Sequence, residues 1–231
     1  MFYTSPTYRL TTMTTYTPEQ LATFPWIVSC DTLRAEDLLP KYWSTAETLA
    51  VLADRPLAIN PETLASLAKL VGEDSRDSDW SDDEASQTLD DLTEVLNELA
   101  PCGFQFGSQE GDGACFGFWL SEDWAESLES CGFAADSDPA ECANTVSTLN
   151  ADGLDPDNIG DAYQGRAEGY SEESAGADFA QQLAEDTGVW TGQHVWPLSC
   201  IDWHDAWREL QMGDGFRLHD IGGGEWLVFR D

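Results

Sequence analysis

Arg76 is followed by 89 residues, Asp77 to Gly165, that contain neither Lys nor Arg and carry 22 Asp or Glu. No ion pair with a lysine or arginine can form within such a stretch. Acids one turn apart on a helix repel each other by a few tenths of a kcal/mol per pair, with no lysine to offset them. Any helix built there has to turn its carboxylates to solvent and find its stability in an apolar face. The whole chain has 44 acids against 10 bases, a formal charge of −34. Residues 1–76 carry only −3 and residues 166–231 carry −9, so the base-free stretch supplies most of the imbalance. A small domain needs a net charge of only about 2–8 for solubility. Net charge bears on solubility, partners and association rate rather than on fold.

The chain is nevertheless built for a core. Of its 231 residues 42% are hydrophobic, with ten Trp and ten Phe, whereas an acidic disordered tail is poor in aromatics. No apolar run reaches the length of a transmembrane helix. The N-terminus MFYTSPTYRLTTMTTYTPEQ lacks the basic and apolar regions of a signal peptide, so a cytoplasmic location is expected. The six cysteines show no CxxC spacing, and the expectation is buried, reduced thiols.

Local signals divide the chain near residue 77, and the pattern changes again from Tyr163. Residues 1–76 read as a helical module. Thr17-Pro18-Glu19-Gln20 is a capping box with Pro at the first helical position, Ser44-x-x-Glu47 repeats the signal, and Asn60-Pro61 opens a third helix with Leu64, Leu67 and Leu70. The polar run GEDSRDSD from Gly72 is the expected linker. Residues 77–157 form an acidic middle. Ser81-Asp82-Asp83-Glu84 caps a helix whose inner face is Ala85, Leu89, Leu92, Leu96 and Leu99. Glu84, Asp91, Glu94 and Glu98 line its other side, flanked by Asp83 and Asp90. A hairpin, Phe104–Gly107 and Cys115–Leu120, precedes a second acidic helix capped by Ser121. There Trp124 and Leu128 face inward, Glu122, Glu126 and Glu129 face outward, and Asp123 lies beside them. A short helix is expected around Val146. From Tyr163 the pattern gives a strand over Tyr163–Tyr170, a helix with Phe179, Ala180 and Leu183 inward, a helix over Asp202–Met212, and a hairpin, Phe216–Asp220 and Glu225–Phe229, turned at Gly222-Gly223-Gly224. Helices and strands in blocks favour an α+β fold over a parallel sheet.

Motifs for catalysis fail. Gly111-x-Gly113-x-x-x-Gly117 has the wrong spacing for a dinucleotide loop, and with only Lys41 and Lys69 there is no phosphate-loop lysine. Cys200 and His204 lack a second ligand pair of comparable spacing, so coincidence is favoured over zinc. Asp152, Asp155, Asp157 and Asn158 miss the EF-hand order for calcium. Among 44 acids, carboxylate pairs of glycosidase type arise by chance. The expectation is a protein without enzymatic activity, cofactor or metal.

Rows of carboxylates have another use. Duplex DNA presents one negative charge per about 1.7 Å of axis, so a charge of −34 equals that of about 58 Å, some 17 base pairs. A folded acidic surface of that size can enter a DNA-binding groove and recruit the electrostatic terms DNA uses. Salt adaptation is the competing reading, together with a generic acidic interaction module. Salt adaptation predicts acids spread evenly and large apolar residues thinned.

Two ordered blocks then resemble the ArdA antirestriction family. Asn158-Ile-Gly-Asp-Ala-Tyr-Gln-Gly165 and Asp178-Phe-Ala-Gln-Gln-Leu-Ala-Glu-Asp-Thr-Gly188 are similar to its "DAYxGxYxSxEDFAxELAEDTG" block. Ile201-Asp-Trp203, Ala206, Arg208-Glu-Leu210, Gly213-Asp-Gly-Phe216 and Val228-Phe-Arg230 resemble its closing "IDWExxARDL…GDYxF…VFR" block. Arg166–Ala177 is an insertion relative to that pattern, and the family's "YNxGxxxGxW" start is absent. The resemblance implies an elongated, multi-domain α+β protein, often a homodimer, in which residues 158–231 form a small antiparallel sheet with helices. It implies a DNA mimic from a mobile element that occupies the DNA groove of a type I restriction-modification methyltransferase–specificity complex and binds neither nucleic acid nor membrane. The phosphate-mimicking surface would be Asp82, Asp83, Glu84, Asp90, Asp91, Glu94 and Glu98, then Glu122, Asp123, Glu126 and Glu129. The alternative partner is another host protein, met through residues 1–76.

Overall fold

A computed structural model describes residues 14–70, 82–191 and 200–230. It is α+β, with two three-stranded antiparallel sheets, and its contacts form two compact units, Met1–Ser121 and Glu122–Asp231.

The first unit starts with α1 (Pro18–Leu21), where Thr17 and Gln20 form the expected capping box. Strand β1 (Ile27–Ser29) follows, then α2 (Ala35–Leu52) and α3 (Pro61–Leu70). The helix expected to start near Ser44 in fact runs unbroken from Ala35. Its buried positions, Leu38, Leu39, Tyr42, Thr45, Ala46, Leu49 and Ala50, keep helical spacing across Pro40. Pro40 is solvent-exposed, so the carbonyl its ring leaves without a donor can be hydrated. In α3, Asn60 Oδ1 accepts from the Glu62 amide at 3.0 Å. Thr63 and Leu67 are buried while Leu64 is 49% exposed. The expected linker and the Ser81 cap lie outside the described residues.

Helix α4 (Asp82–Glu98) packs on α2 and α3. Ala85, Thr88, Leu92, Val95, Leu96 and Leu99 are buried, and Leu89 is half-buried. Strands β2 (Phe104–Gln109) and β3 (Asp112–Leu120) make a longer hairpin than expected. Strand β1, absent from the sequence expectation, adds to the far side of β3. That pairing brings Cys30 to Cys115, and the two are joined as a disulfide, a correction to the expectation of six reduced thiols. By contacts, α4 and the hairpin complete a core begun by α2 and β1 and share one unit with them.

The second unit contains α5 (Glu122–Ser130), α6 (Pro139–Ala151), α7 (Pro156–Ala162), β4 (Tyr163–Glu168), α8 (Glu172–Asp186), α9 (Trp203–Asp214), β5 (Phe216–Gly222) and β6 (Glu225–Arg230). Its sheet order is β4-β6-β5. Helices α8 and α9 pack on it around Phe179, Ala180, Trp207, Phe216 and Val228. Helix α6 is 13 residues long, capped by Asp138 and centred on fully buried Val146. Helices α5 and α7 pack together, and α6 lies against β5. The expected division at residue 158 therefore falls inside this unit.

Candidate functional site

The acidic faces of α4 and α5 sit in different units and are described separately. On α4, Asp83, Asp90, Glu94 and Glu98 are exposed. Their spacing of seven, four and four residues places them along one side of the helix. Glu84 and Asp91 are half-buried and turn toward α3. Ser66 Oγ donates to Glu84 Oε1 at 3.0 Å, and Lys69 Nζ lies 3.7 Å from the same oxygen. Thr63 Oγ1 donates to Asp91 Oδ2, and Gln87 Nε2 donates to Asp91 Oδ1 at 2.9 Å. These two carboxylates are thus engaged in holding α3 on α4. Thr63 and Ser66, three residues apart on a capped helix, were the sequence signal for this polar seam. Asp82 belongs to α4, and its side chain lies outside the described residues.

On α5 the expected inward and outward faces are met. Trp124 and Leu128 are buried, and Glu122, Asp123, Glu126 and Glu129 are all exposed. Glu122, Glu126 and Glu129 make a stripe, with Asp123 about 100° round the helix. The helix ends where the amides of Cys131 and Phe133 both return to the Leu128 carbonyl, at 3.0 Å each. Arg166, the first base after the long acidic run, secures that end. Its Nε donates to the Cys131 carbonyl at 3.0 Å, its guanidinium lies 4.7 Å from the Phe133 ring centre, and it pairs with Glu225. A cation there also complements the C-terminal end of the helix dipole.

Charge density ranks the two rows. The four outward acids of α4 span about 22 Å of helix axis, a length over which one DNA strand carries six or seven phosphates at about 3.4 Å each. The four of α5, the three-residue stripe with Asp123 beside it, fall within about 10.5 Å of helix axis, an axial density of about 3.5 Å per charge and close to the single-strand value. Among the described residues none of these eight carboxylates forms an ion pair, whereas Glu84 meets Lys69.

Other candidate chemistry resolves into structural roles. Asp155 and Asn158, considered above for calcium, form the capping box of α7. Asp152 Oδ2 meets Nδ1 of buried His219 at 2.5 Å. Cys200 is exposed, contrary to expectation. With His204, Asp178, Asp202 and Trp203 it lines an open pocket of about 460 Å³. No cluster of three or more His, Cys, Asp or Glu among the described residues is placed to hold a metal ion. Burial pushes the Cys102 and Cys131 thiols up, and pushes Cys142 to about 11 with the Glu141 and Asp138 carboxylates adding to it. Such thiols stay protonated at neutral pH and are poor nucleophiles. Among the described residues no helix is long and apolar enough to cross a membrane. No protein-family model, no curated protein and no solved structure matches the chain.

Proposed function

We propose that this chain is a DNA-mimic antirestriction protein without catalytic activity, acting on a type I methyltransferase–specificity complex. The observation that carries the reading is the acidic face of α5: four exposed carboxylates, no cation partner among the described residues, and an axial charge density close to that of one DNA strand. The ArdA-like residues belong to the same unit as that row. Several of them, including Phe179, Ala180, Phe216 and Val228, are core residues, so the resemblance supports a shared fold for this unit and, through the family, an elongated mimic. The site narrows to Glu122, Asp123, Glu126 and Glu129, followed by Asp83, Asp90, Glu94 and Glu98, and excludes Glu84 and Asp91. The test is competition with duplex DNA for a purified type I complex, alongside a plating assay for restriction. Replacing the α5 acids by Gln or Asn should weaken inhibition at least 10-fold. Unchanged inhibition after neutralising both rows would sink the reading.

A second reading, a protein-binding anti-defence module, draws on a different observation. Among the described residues of the first unit, the exposed large apolar ones, Ile27, Leu33, Val51 and Leu64, all lie within residues 1–76. Deleting those residues would strip the core under α4, so surface substitution is the cleaner test. Leu33→Ser with Val51→Ser should abolish activity under this reading and leave it intact under mimicry.

Salt adaptation also keeps a foothold. By fold unit, Met1–Ser121 carries 20 acids and 6 bases, and Glu122–Asp231 carries 24 and 4. The acid excess is therefore shared between both units, and the near balance of residues 1–76 describes only part of the first. Cooperative folding in dilute buffer would count against salt adaptation.

A further inference from the structure

We infer that Cys30 and Cys115 form a reversible redox clasp that locks strand β1 onto the sheet of the first unit. This inference is independent of the proposed DNA mimicry.

Strand β1 has only three residues, and its register with β3 is two pairs, Ile27↔Gly117 and Ser29↔Phe116, with an irregularity between them. Beyond that ladder it packs on α2, and the preceding Trp26 ring meets Phe104. The Phe118 amide donates to the Trp26 carbonyl at 2.8 Å, and Lys41 Nζ donates to Ser29 Oγ at 3.0 Å. The approach is close enough that a side-chain carbon on Gly117 would collide with the Trp26 carbonyl. Ile27, on the same strand, is 60% exposed. An edge strand held this thinly opens readily by local fraying. The disulfide joins positions 85 residues apart, so closing it removes a large loop from the unfolded ensemble.

The two sulfurs differ in access. Cys30 is half-buried just past the end of β1, and Cys115 is 5% exposed within β3. Exchange with a small disulfide such as glutathione disulfide then has a defined order. The Cys30 thiol loses its proton, and its thiolate attacks one glutathione sulfur, releasing one glutathione thiolate and leaving a mixed disulfide. The Cys115 thiol loses its proton, attacks the Cys30 sulfur and releases the second glutathione. Two protein thiols are oxidised, and one glutathione disulfide is reduced to two glutathione molecules. The reverse sequence reopens the strand. The remaining buried cysteines, Cys102, Cys131 and Cys142, are less exposed than Cys30 and have thiols that burial keeps protonated, so they do not compete.

The test equilibrates the full-length protein in glutathione buffers of stepped reduced-to-oxidised ratio. Acid quench, alkylation and peptide mass mapping read the bond, and amide hydrogen exchange of residues 27–29 reads the strand. The expected result is a Cys30–Cys115 cross-linked peptide whose fraction rises and falls reversibly with the ratio. The oxidised form should exchange its β1 amides at least 10-fold more slowly and resist unfolding by roughly 30- to 1,000-fold in the equilibrium constant. Cys30→Ser should abolish both responses, and the reduced wild-type protein gives the same comparison without any substitution. Failure to form this bond, a different cysteine pairing, a bond that no ratio reduces, or a bond that leaves β1 exchange unchanged would each overturn the inference.

Discussion

At the scale of single residues, close approach and buried phenols make the sharpest predictions. Gly176 faces Trp207 across α8 and α9, and a side-chain carbon there would run into the indole ring. Gly176→Ala should therefore destabilise the protein by about 1–3 kcal/mol through overpacking, read from urea unfolding. Tyr16 donates to the Leu99 carbonyl at 2.6 Å, and burial raises its pKa to about 12 against a smaller opposing pull from Arg55. Below the ordinary phenol value near 10, both folded and unfolded chains hold that proton and its contribution to stability is complete. Between about 10 and 12 only the folded chain keeps it, so stability falls as pH rises through that window. Burial shifts Tyr42 in the same direction. Tyr16→Phe should flatten this alkaline slope in a pH series of denaturant midpoints. Residue chemistry was partly legible in advance, since Thr17, Asn60 and the α5 acids stand where their spacing put them. Asp91 was not, because its carboxylate is taken up by a threonine hydroxyl on α3, Thr63, that helical periodicity does not reveal.

At the scale of elements, helices were read well where a capping residue marked the start, as in α1 and α3, or where apolar and acidic faces separated cleanly, as in α5. Helix α2 was misplaced because Pro40 resembles a break and Ser44 with Glu47 imitates a cap, while the true start at Arg34 has no side-chain cap. Helix α6 was underestimated because small or polar residues, Cys142, Ala143 and Thr145, occupy much of its buried face. Strand β1 was invisible, being three residues whose partner lies far along the chain. The element-level prediction for the proposed mimicry is a ranking. Neutralising the α5 row should cost more inhibition than neutralising the same number of acids on α4, because its charges are about twice as dense. Arg166→Gln should loosen the end of α5 and cost about 1.5–3 kcal/mol, the range for hydrogen bonds made by charged groups, read from thermal unfolding together with exchange at Gly132 and Phe133.

For the whole molecule, a charge of −34 makes self-repulsion a general term against compactness. Raising salt from about 0.01 M to 1 M shortens the Debye length from about 30 Å to about 3 Å. The melting temperature should therefore climb with salt and level off by that point, which calorimetry in a sodium chloride series would record. The two-unit division was the least legible part of the sequence, since composition changes at residue 77 while the contacts change at Ser121. That late boundary has a consequence for synthesis. The faces of α2 built on Leu38, Leu39 and Leu49 emerge from the ribosome well before α4, the element that packs most extensively on α2. At about 5–20 residues per second, the growing chain spends seconds with this oily surface uncovered. Nascent chains stalled before α4 should accordingly be the aggregation-prone and chaperone-bound species, while chains stalled beyond Ser121, once that unit has cleared the exit tunnel, should be released.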